Sequence, residues 1–576
     1  MSYNIIMKNF GIVLTACFFL AGMSCKAAYL GDIPQTTMQI AKEAGFNNSQ
    51  YSDIPHSKTV RVGIGTNNFA SYEWKNASLY GTGDFELYNN KTYIGTYTSD
   101  DEININMVGN IFVLTDKDSN VIEKVSGPII FKSDFGFIGI KDLKRAGKDA
   151  VYRNQIELIS TGKGGSFYIV NSLEVEEYLR GVVPNEMPVT FGLEALKAQA
   201  VAARNYVLSP RSKLNPYYDV VDSVASQVYF GANTEKELSN RAVMETSGIV
   251  ALYGWELILA QYSSTAGGYT ENYQNVFSDP ITKKFPPPDK PYLKGVPDDP
   301  STPALDNEEE ALEFYKSKPK TFDSDSSYYR WTREWSGQEI QDAIQANIAA
   351  QSTTGFVEPA VQKDESIGII NKLNVLKRGV SGKIVELEIQ TDCGNYIVKK
   401  ELVIRRLLKK DGKALPSANV IFEHEYNDEG QLIHIKAYGG GFGHGVGLSQ
   451  YGAGYMAKTL KQTYDKILKH YYSNISLGTE PFILSASPSQ TSASQTFWSQ
   501  NGKAILVIDN KYKVRNIDIS VNGTQDTIDL DTSGRYNTLD LTGYLHKGLN
   551  TVNFKYPQSQ GKNKGLRIFI EMADNE

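Results

Sequence analysis

Cysteine is nearly absent from this 576-residue chain: Cys17, Cys25 and Cys393 are all there is. Three thiols so far apart exclude a disulfide framework, and six scattered histidines add no Cys/His run with zinc-ligand spacing, so neither metal nor cofactor is expected. Tryptophan is scarce as well, five residues against 35 tyrosines. Basic residues are outnumbered, 59 Lys and Arg against 65 Asp and Glu, for a net charge of -6. That balance argues against nucleic acid as a partner and offers no general attraction to anionic polymers. Long apolar runs are missing beyond the N-terminus. The one that exists, Phe10 to Met23 after Lys8, has the length of a signal-peptide core and is short for a bilayer span. It predicts an export signal over residues 1–28, and hence work in the cell envelope outside the cytoplasm. Leu14–Cys17 and Gly22–Cys25 each match a lipoprotein box in part, so a lipid anchor stands as the alternative to simple cleavage.

What is present is more specific. In Tyr178-Leu-Arg-Gly-Val-Val-Pro-Asn-Glu-Met-Pro188 a single carboxylate, Glu186, lies between Pro184 and Pro188. Each proline fixes its own φ and disfavours the α region for the residue before it, which predicts a stiff loop ahead of a helix starting near Pro188. A rigidly presented glutamate suits general acid–base chemistry; the plain alternative is a helix cap. In the segment that follows, Leu193, Leu196, Ala200, Ala203 and Val207 recur at helical spacing, and Ala198 and Ala202 keep the opposite side small. Lys197 and Arg204, seven apart, border the apolar face. They read equally well as snorkelling stems or as cations aimed into a cleft.

The strings VVPNEMP and LKAQAVAARNYVL resemble the stage II sporulation protein D and amidase-enhancer family. Three further segments agree: Asp222-Ser-Val-Ala-Ser-Gln-Val-Tyr-Phe-Gly231, Tyr262-Ser-Ser-Thr-Ala-Gly-Gly-Tyr-Thr270 and Gly440-Gly-Phe-Gly-His-Gly-Val-Gly-Leu-Ser-Gln-Tyr-Gly-Ala453. The resemblance implies a bacterial protein acting on peptidoglycan, whose founding members are lytic transglycosylases that prefer strands stripped of stem peptides. It implies that Glu186 is the catalytic acid. It also points to Lys197, Arg204, Gln227, Tyr262, Ser263, Ser264, Gly267, Gly268, His444 and Gln450 as substrate-binding positions. His444 could equally be a structural partner in a tight glycine turn. Some relatives hold zinc near the QVY segment; here those places read Ser223-Val-Ala-Ser226, which removes the ligands. The amidase-enhancer branch implies a second function, stimulation of a partner amidase without catalysis, and fold alone does not choose between the two.

The expected fold class is α+β, with mixed helices and antiparallel strands interrupted by an insertion, followed by an all-β sandwich-like module. The expected domains are the signal (1–28), a spacer (29–57), the peptidoglycan-acting domain (58–480, motif core 171–280 and 375–477, insertion about 286–330), a Ser/Thr/Gln-rich linker (485–496) and the β-module (497–576). Leu539 to Val552 resembles strands of galactose-binding-like sandwiches, so glycan binding and plain structural docking both remain open for that module. Helical spacing of Tyr464, Ile467, Leu468 and Tyr471 predicts a core helix, and Cys393 is expected to be a lone buried thiol.

Overall fold

The computed structural model describes residues 58–209, 215–486, 491–556 and 565–574. The expected export signal, the spacer, Cys17 and Cys25 lie outside the described residues. The protein is an α+β protein whose described residues divide into two units, one built from 58–257 with 477–574 and the other from 258–476.

In the first unit the chain opens with two antiparallel sheets. One runs, in spatial order, through Val220–Val221, Thr59–Gly63, Phe167–Glu174, Gln155–Ser160, Ile129–Lys132, Phe85–Asn89 and Thr92–Tyr97, with only the first pair parallel. The other runs Lys148–Tyr152, Ile138–Arg145, Asn76–Gly81, Glu102–Val108, Ile111–Thr115 and Val121–Val125. Alternation along Glu102–Val108 buries Ile103, Ile105 and Met107 and turns Asn104 and Asn106 to the other face, as period-2 geometry requires. Three helices follow: α1 (Val175–Glu186), α2 (Leu193–Leu208) and α3 (Glu237–Met244). The apolar face read for α2 is present, and every residue from Ala195 to Asn205 is buried, so this helix is packed on all sides.

The C-terminal strands are hydrogen-bonded into a sheet that also contains earlier chain. Ala504–Asp509 pairs with Tyr536–Asp540 and with Gly565–Met572, and the same sheet extends to Val250–Tyr253 and Glu256–Leu257. A second, four-stranded sheet orders Ser492–Ser499, Gly548–Lys555, Asn516–Val521 and Thr524–Asp529. Its first strand begins inside the stretch read as linker. Cross-strand register with Gly548–Lys555 holds it there, including a Thr496–Thr551 hydroxyl contact of 3.0 Å.

The second unit holds α4 (Glu308–Lys316), α5 (Gly337–Ser352), α6 (Glu401–Leu407), α7 (Gln450–Lys458) and α8 (Tyr464–Tyr471). Its main core gathers Trp331, Trp335, Ile340, Ile344 and Ile348 against Leu387, Ile389, Ile404 and Leu407. Helix α5 starts on a capping box in which Ser336 and Glu339 satisfy each other's backbone amides. The four residues read as the core face of α8 are all buried. Cys393 differs from expectation: it is exposed, because it sits in the two-residue turn joining Ile384–Thr391 to Gly394–Lys399. The polar insertion is likewise packed structure, with α4 inside it and Phe314 and Tyr315 buried.

Candidate active site

Helix α1 is where sequence expectation and structure part. Glu186 is not on a loop before a helix; it is the last residue of α1, and Pro184 lies inside the helix. Pro184 has no N–H to offer the Arg180 carbonyl, but in a last turn that loss is tolerable. Asn185 strengthens the turn with its side chain, donating to the Gly181 carbonyl at 2.7 Å and to Thr234 Oγ1 at 2.7 Å. Burial of Val182 and Val183 holds the residue before the proline in helical geometry against its local preference. The second proline acts as expected: Met187 is extended (φ -129°, ψ 129°) and ends the helix. A short 3-10 turn, Val189–Phe191, then leads into α2.

Glu186 is half-buried, and Val182, Val183 and Met187 around it in the chain are fully buried. The amide of Val228 donates to its Oε1 at 2.7 Å. The QVY segment is thereby brought to the glutamate. Gln227 is buried, its Oε1 accepting from Tyr178 Oη (3.2 Å) and its Nε2 donating to the Ala203 carbonyl (3.4 Å), which links the segment to α1 and α2 at once. Tyr229 packs against Tyr178 with ring centroids 5.0 Å apart and donates to Asn171 Oδ1 at 2.6 Å. This packing depends on Gly181, where a Cβ would stand 2.5 Å from the Tyr229 ring.

Lys197 and Arg204 are spent on internal carboxylates. Both are 1% exposed. Lys197 Nζ meets Glu194 at 2.8 Å and Glu245 at 2.7 Å. Arg204 makes a two-point pair with Glu176 (Nε–Oε1 2.8 Å, Nη2–Oε2 2.6 Å) and donates to the Ile249 carbonyl at 2.9 Å. Within this unit they lock α1, α2 and α3 together, which is neither the snorkelling nor the cleft reading. The Asp222 that opens the QVY segment is buried in an ion pair with Arg145 (2.7 Å), and burial raises its carboxyl to about 6.

The remaining motif residues belong to the second unit. Tyr262–Ser263 pairs in parallel with Leu448–Ser449, and the Tyr451 amide donates to the Ser264 carbonyl at 3.1 Å. Ser263 Oγ accepts from the Gly445 amide at 3.2 Å. Gly447 sits where a Cβ would stand 2.1 Å from the Gln261 carbonyl, at φ 71°, so that position requires glycine. His444 Nδ1 accepts from the Val446 amide at 3.1 Å, and the Phe277 ring meets the imidazole edge-on. Burial pushes the imidazole down to about 4, so it is neutral at ordinary pH. Gln450, buried, opens α7, whose cap is Ser449. The Tyr262–Gly268 and Gly440–Ala453 motifs are thus one interlocked substructure.

Several residues important here escaped the sequence reading. Asp323 accepts from the Gly267 amide at 2.7 Å, and the Asp298 amide donates to the Gly268 carbonyl at 3.1 Å, so two insertion residues clamp the glycine pair. Both aspartate carboxyls are buried and pushed up, by desolvation first and, for Asp298, by the charge of Asp323 as well. Glu271 is fully buried and accepts from Asn272, Val380 and Ser381 amides and from Ser381 Oγ at 2.6 Å. Under the glycine-rich turn, burial lowers Lys383 to about 8. Only the separation of insertion and motif in the chain hid these contacts. No group of three His, Cys, Asp or Glu side chains among the described residues is placed to hold a metal.

Comparison with known proteins places the chain among described families. A family model described as "SpoIID: Stage II sporulation protein" matches residues 163–253, which contain Glu186 and the QVY segment. A second, described as "Domain of unknown function (DUF8618)", matches residues 279–447. The chain is 29% identical to stage II sporulation protein D of Bacillus amyloliquefaciens over 338 residues, covering 56% of this chain and 78% of that protein. It is 31% identical to an uncharacterized protein of Brachyspira hyodysenteriae over 313 residues, 54% of this chain and 68% of the relative. It is also 30% identical to the amidase enhancer of Bacillus subtilis, over 52% of this chain and 40% of that longer protein. The chain belongs to the stage II sporulation protein D and amidase-enhancer family.

Proposed function

We propose that this protein is an exported lytic transglycosylase that cuts peptidoglycan glycan strands, with Glu186 as its acid and base. The observation that carries the reading is Glu186 itself: partly exposed, placed at the end of a largely buried helix, with its carboxyl accepting from the Val228 amide. Glu186 is the last residue of α1, so it stands at the negative end of that helix. The Val228 N–H is a donor placed on the oxygen of the carboxylate that this residue becomes after giving up its proton.

The cycle balances with one carboxyl. Glu186 gives its proton to the glycosidic oxygen as the bond to the anomeric carbon of N-acetylmuramic acid breaks. The C6 hydroxyl of that sugar forms the new bond to the anomeric carbon, and its proton returns to Glu186. No water is consumed, which distinguishes the reaction from the two-carboxylate hydrolysis of most glycosidases. An internal hydroxyl has an effective concentration of roughly 100,000 M or more when well oriented, so it outcompetes water.

The test is digestion of purified glycan strands, with and without stem peptides, followed by mass spectrometry. Ends lighter than reducing-end muramic acid by one water, formed faster on stripped strands, are expected. Reducing ends alone would make the protein a hydrolase. The second reading, a non-catalytic wall-binding protein that stimulates an amidase, is favoured by the relative named amidase enhancer. It would be supported by an absence of cleavage on every strand together with faster release of stem peptides by an added amidase.

A further inference from the structure

A second feature of the first unit lies outside the motifs that carry the family resemblance. A groove of about 610 Å³ runs over the outer face of the six-stranded sheet and is lined chiefly by amides and hydroxyls, with one indole. The lining follows from register. Asn76 stands opposite Asn106, and Ser78 opposite Asn104, which in turn stands opposite Thr115. These positions share one face because side chains alternate along a strand, while Leu79, Ile103, Ile105 and Leu114 go to the core.

Asparagine is disfavoured in strands, where its side chain competes with the backbone for hydrogen bonds. Placing three of them on two neighbouring strands runs against local propensity, and such departures concentrate where a site imposes them. Asn104 is tied down: Ser78 Oγ donates to its Oδ1, and its Nδ2 donates to the Asp116 carbonyl at 3.1 Å. Asn76 and Asn106 are exposed, and neither side chain has a hydrogen-bond partner among the described residues. They leave two amides, side by side, each with a donor and an acceptor to offer. Trp74 lines the groove with its ring edge anchored, Nε1 donating to the Ile64 carbonyl at 2.8 Å. Charge at the wall is small: Lys141 is neutralised by Glu102 at 2.8 Å, leaving Asp142.

We infer that this groove is a second glycan-binding site, separate in residues from Glu186, that takes N-acetylated pyranoses of a glycan strand through their hydroxyls and acetamido groups. A pyranose offers hydroxyls and an acetamido group that both donate and accept, matching paired carboxamides, and an apolar C–H face that suits an indole. Such a site would hold a long strand while a different stretch of it is cut. That the glycan is peptidoglycan rests on the reading of Glu186; that the groove binds sugar does not.

The experiment uses the full chain in the Glu186→Gln background, so that binding is measured without cleavage, and chitotetraose as the probe. Titration calorimetry should show saturable binding accompanied by a change in tryptophan fluorescence. Asn76→Ala with Asn106→Ala removes exposed, unpaired side chains, so the fold should be kept, and it should weaken binding about tenfold through two lost hydrogen bonds. Trp74→Phe should remove most of the fluorescence change. Unaltered affinity in the double-asparagine variant, or no chitotetraose binding by the parent, overturns the groove. With Glu186 restored, the double-asparagine protein should still cleave stripped strands, though with a higher KM for long ones. Loss of cleavage by native protein would instead count against the reading of Glu186 and leave the binding comparison standing.

Discussion

The backbone amide of Val228 donates to Glu186 Oε1 at 2.7 Å, joining the end of α1 to a segment 42 residues further along. This contact ties two motifs together. It also defines what can be changed at Glu186 without disturbing the fold, since any side chain with an acceptor at the same place keeps the bond.

Glu186→Gln keeps that acceptor and loses the acid. Glycan cleavage should fall by about 100- to 10,000-fold, the usual weight of a general acid, while the melting temperature stays within experimental error of the parent. Turnover near the parent level in a glycan-digestion assay would remove Glu186 from the mechanism.

Gly181→Ala puts a methyl 2.5 Å from the Tyr229 ring. The ring must move, and with it the adjacent Val228 amide that holds Glu186. Overpacking of this kind costs on the order of 1–3 kcal/mol, readable by chemical denaturation. Activity per folded molecule should drop as well, because the acid loses its fixed partner. A fully stable, fully active variant would mean the helix–segment contact is slack.

Arg204→Met should unfold the protein more readily and leave glycan affinity of the folded fraction unchanged. It strands Glu176, whose side chain keeps 22% exposure, so the cost should be about 2–3 kcal/mol, below that of a fully buried pair. A selective loss of glycan binding at unchanged stability would return Arg204 to the substrate.

His444 supplies a pH signature. Its imidazole is held near 4, below the usual value of 6.5, because burial disfavours the cation. The unfolded chain therefore takes up the proton first, and stability contributed by the neutral ring is present above pH 6.5 and is lost as pH falls from there through 4. His470, also held near 4, adds to the same slope, whereas the raised Asp298 and Asp323 act in the opposite sense. The difference in denaturation midpoint between the parent and His444→Gln should thus shrink from pH 7 to pH 4. A difference constant across that range would refute the shift.

Much of the local structure can be read directly from the chain. The apolar period of α2 and the core face of α8 each follow from residue spacing, because burial of one stripe is a local pattern. The family signature likewise marks Glu186 as the carboxyl to watch. Glu186 was nevertheless expected on a loop, since two prolines in five residues argue against a helix. Packing of Val182 and Val183 overrides that preference by more than a last-turn proline costs. Cys393 looked like a core thiol by residue type, and a two-residue turn exposes it.

By itself the sequence determined the apolar stripes of α2 and α8 and the strand alternation, and it singled out Glu186 as the candidate acid, all properties encoded within a dozen neighbouring residues. Only the tertiary structure decided the partners. It gave Lys197 and Arg204 to Glu245 and Glu176, and clamped Gly267 and Gly268 with two aspartates of the insertion. It also set Asn76 opposite Asn106 to make a polar groove, and joined Val250–Tyr253 to strands more than 200 residues away. Each of these is a pairing between distant positions, fixed by register and burial, and no local period in the chain records it.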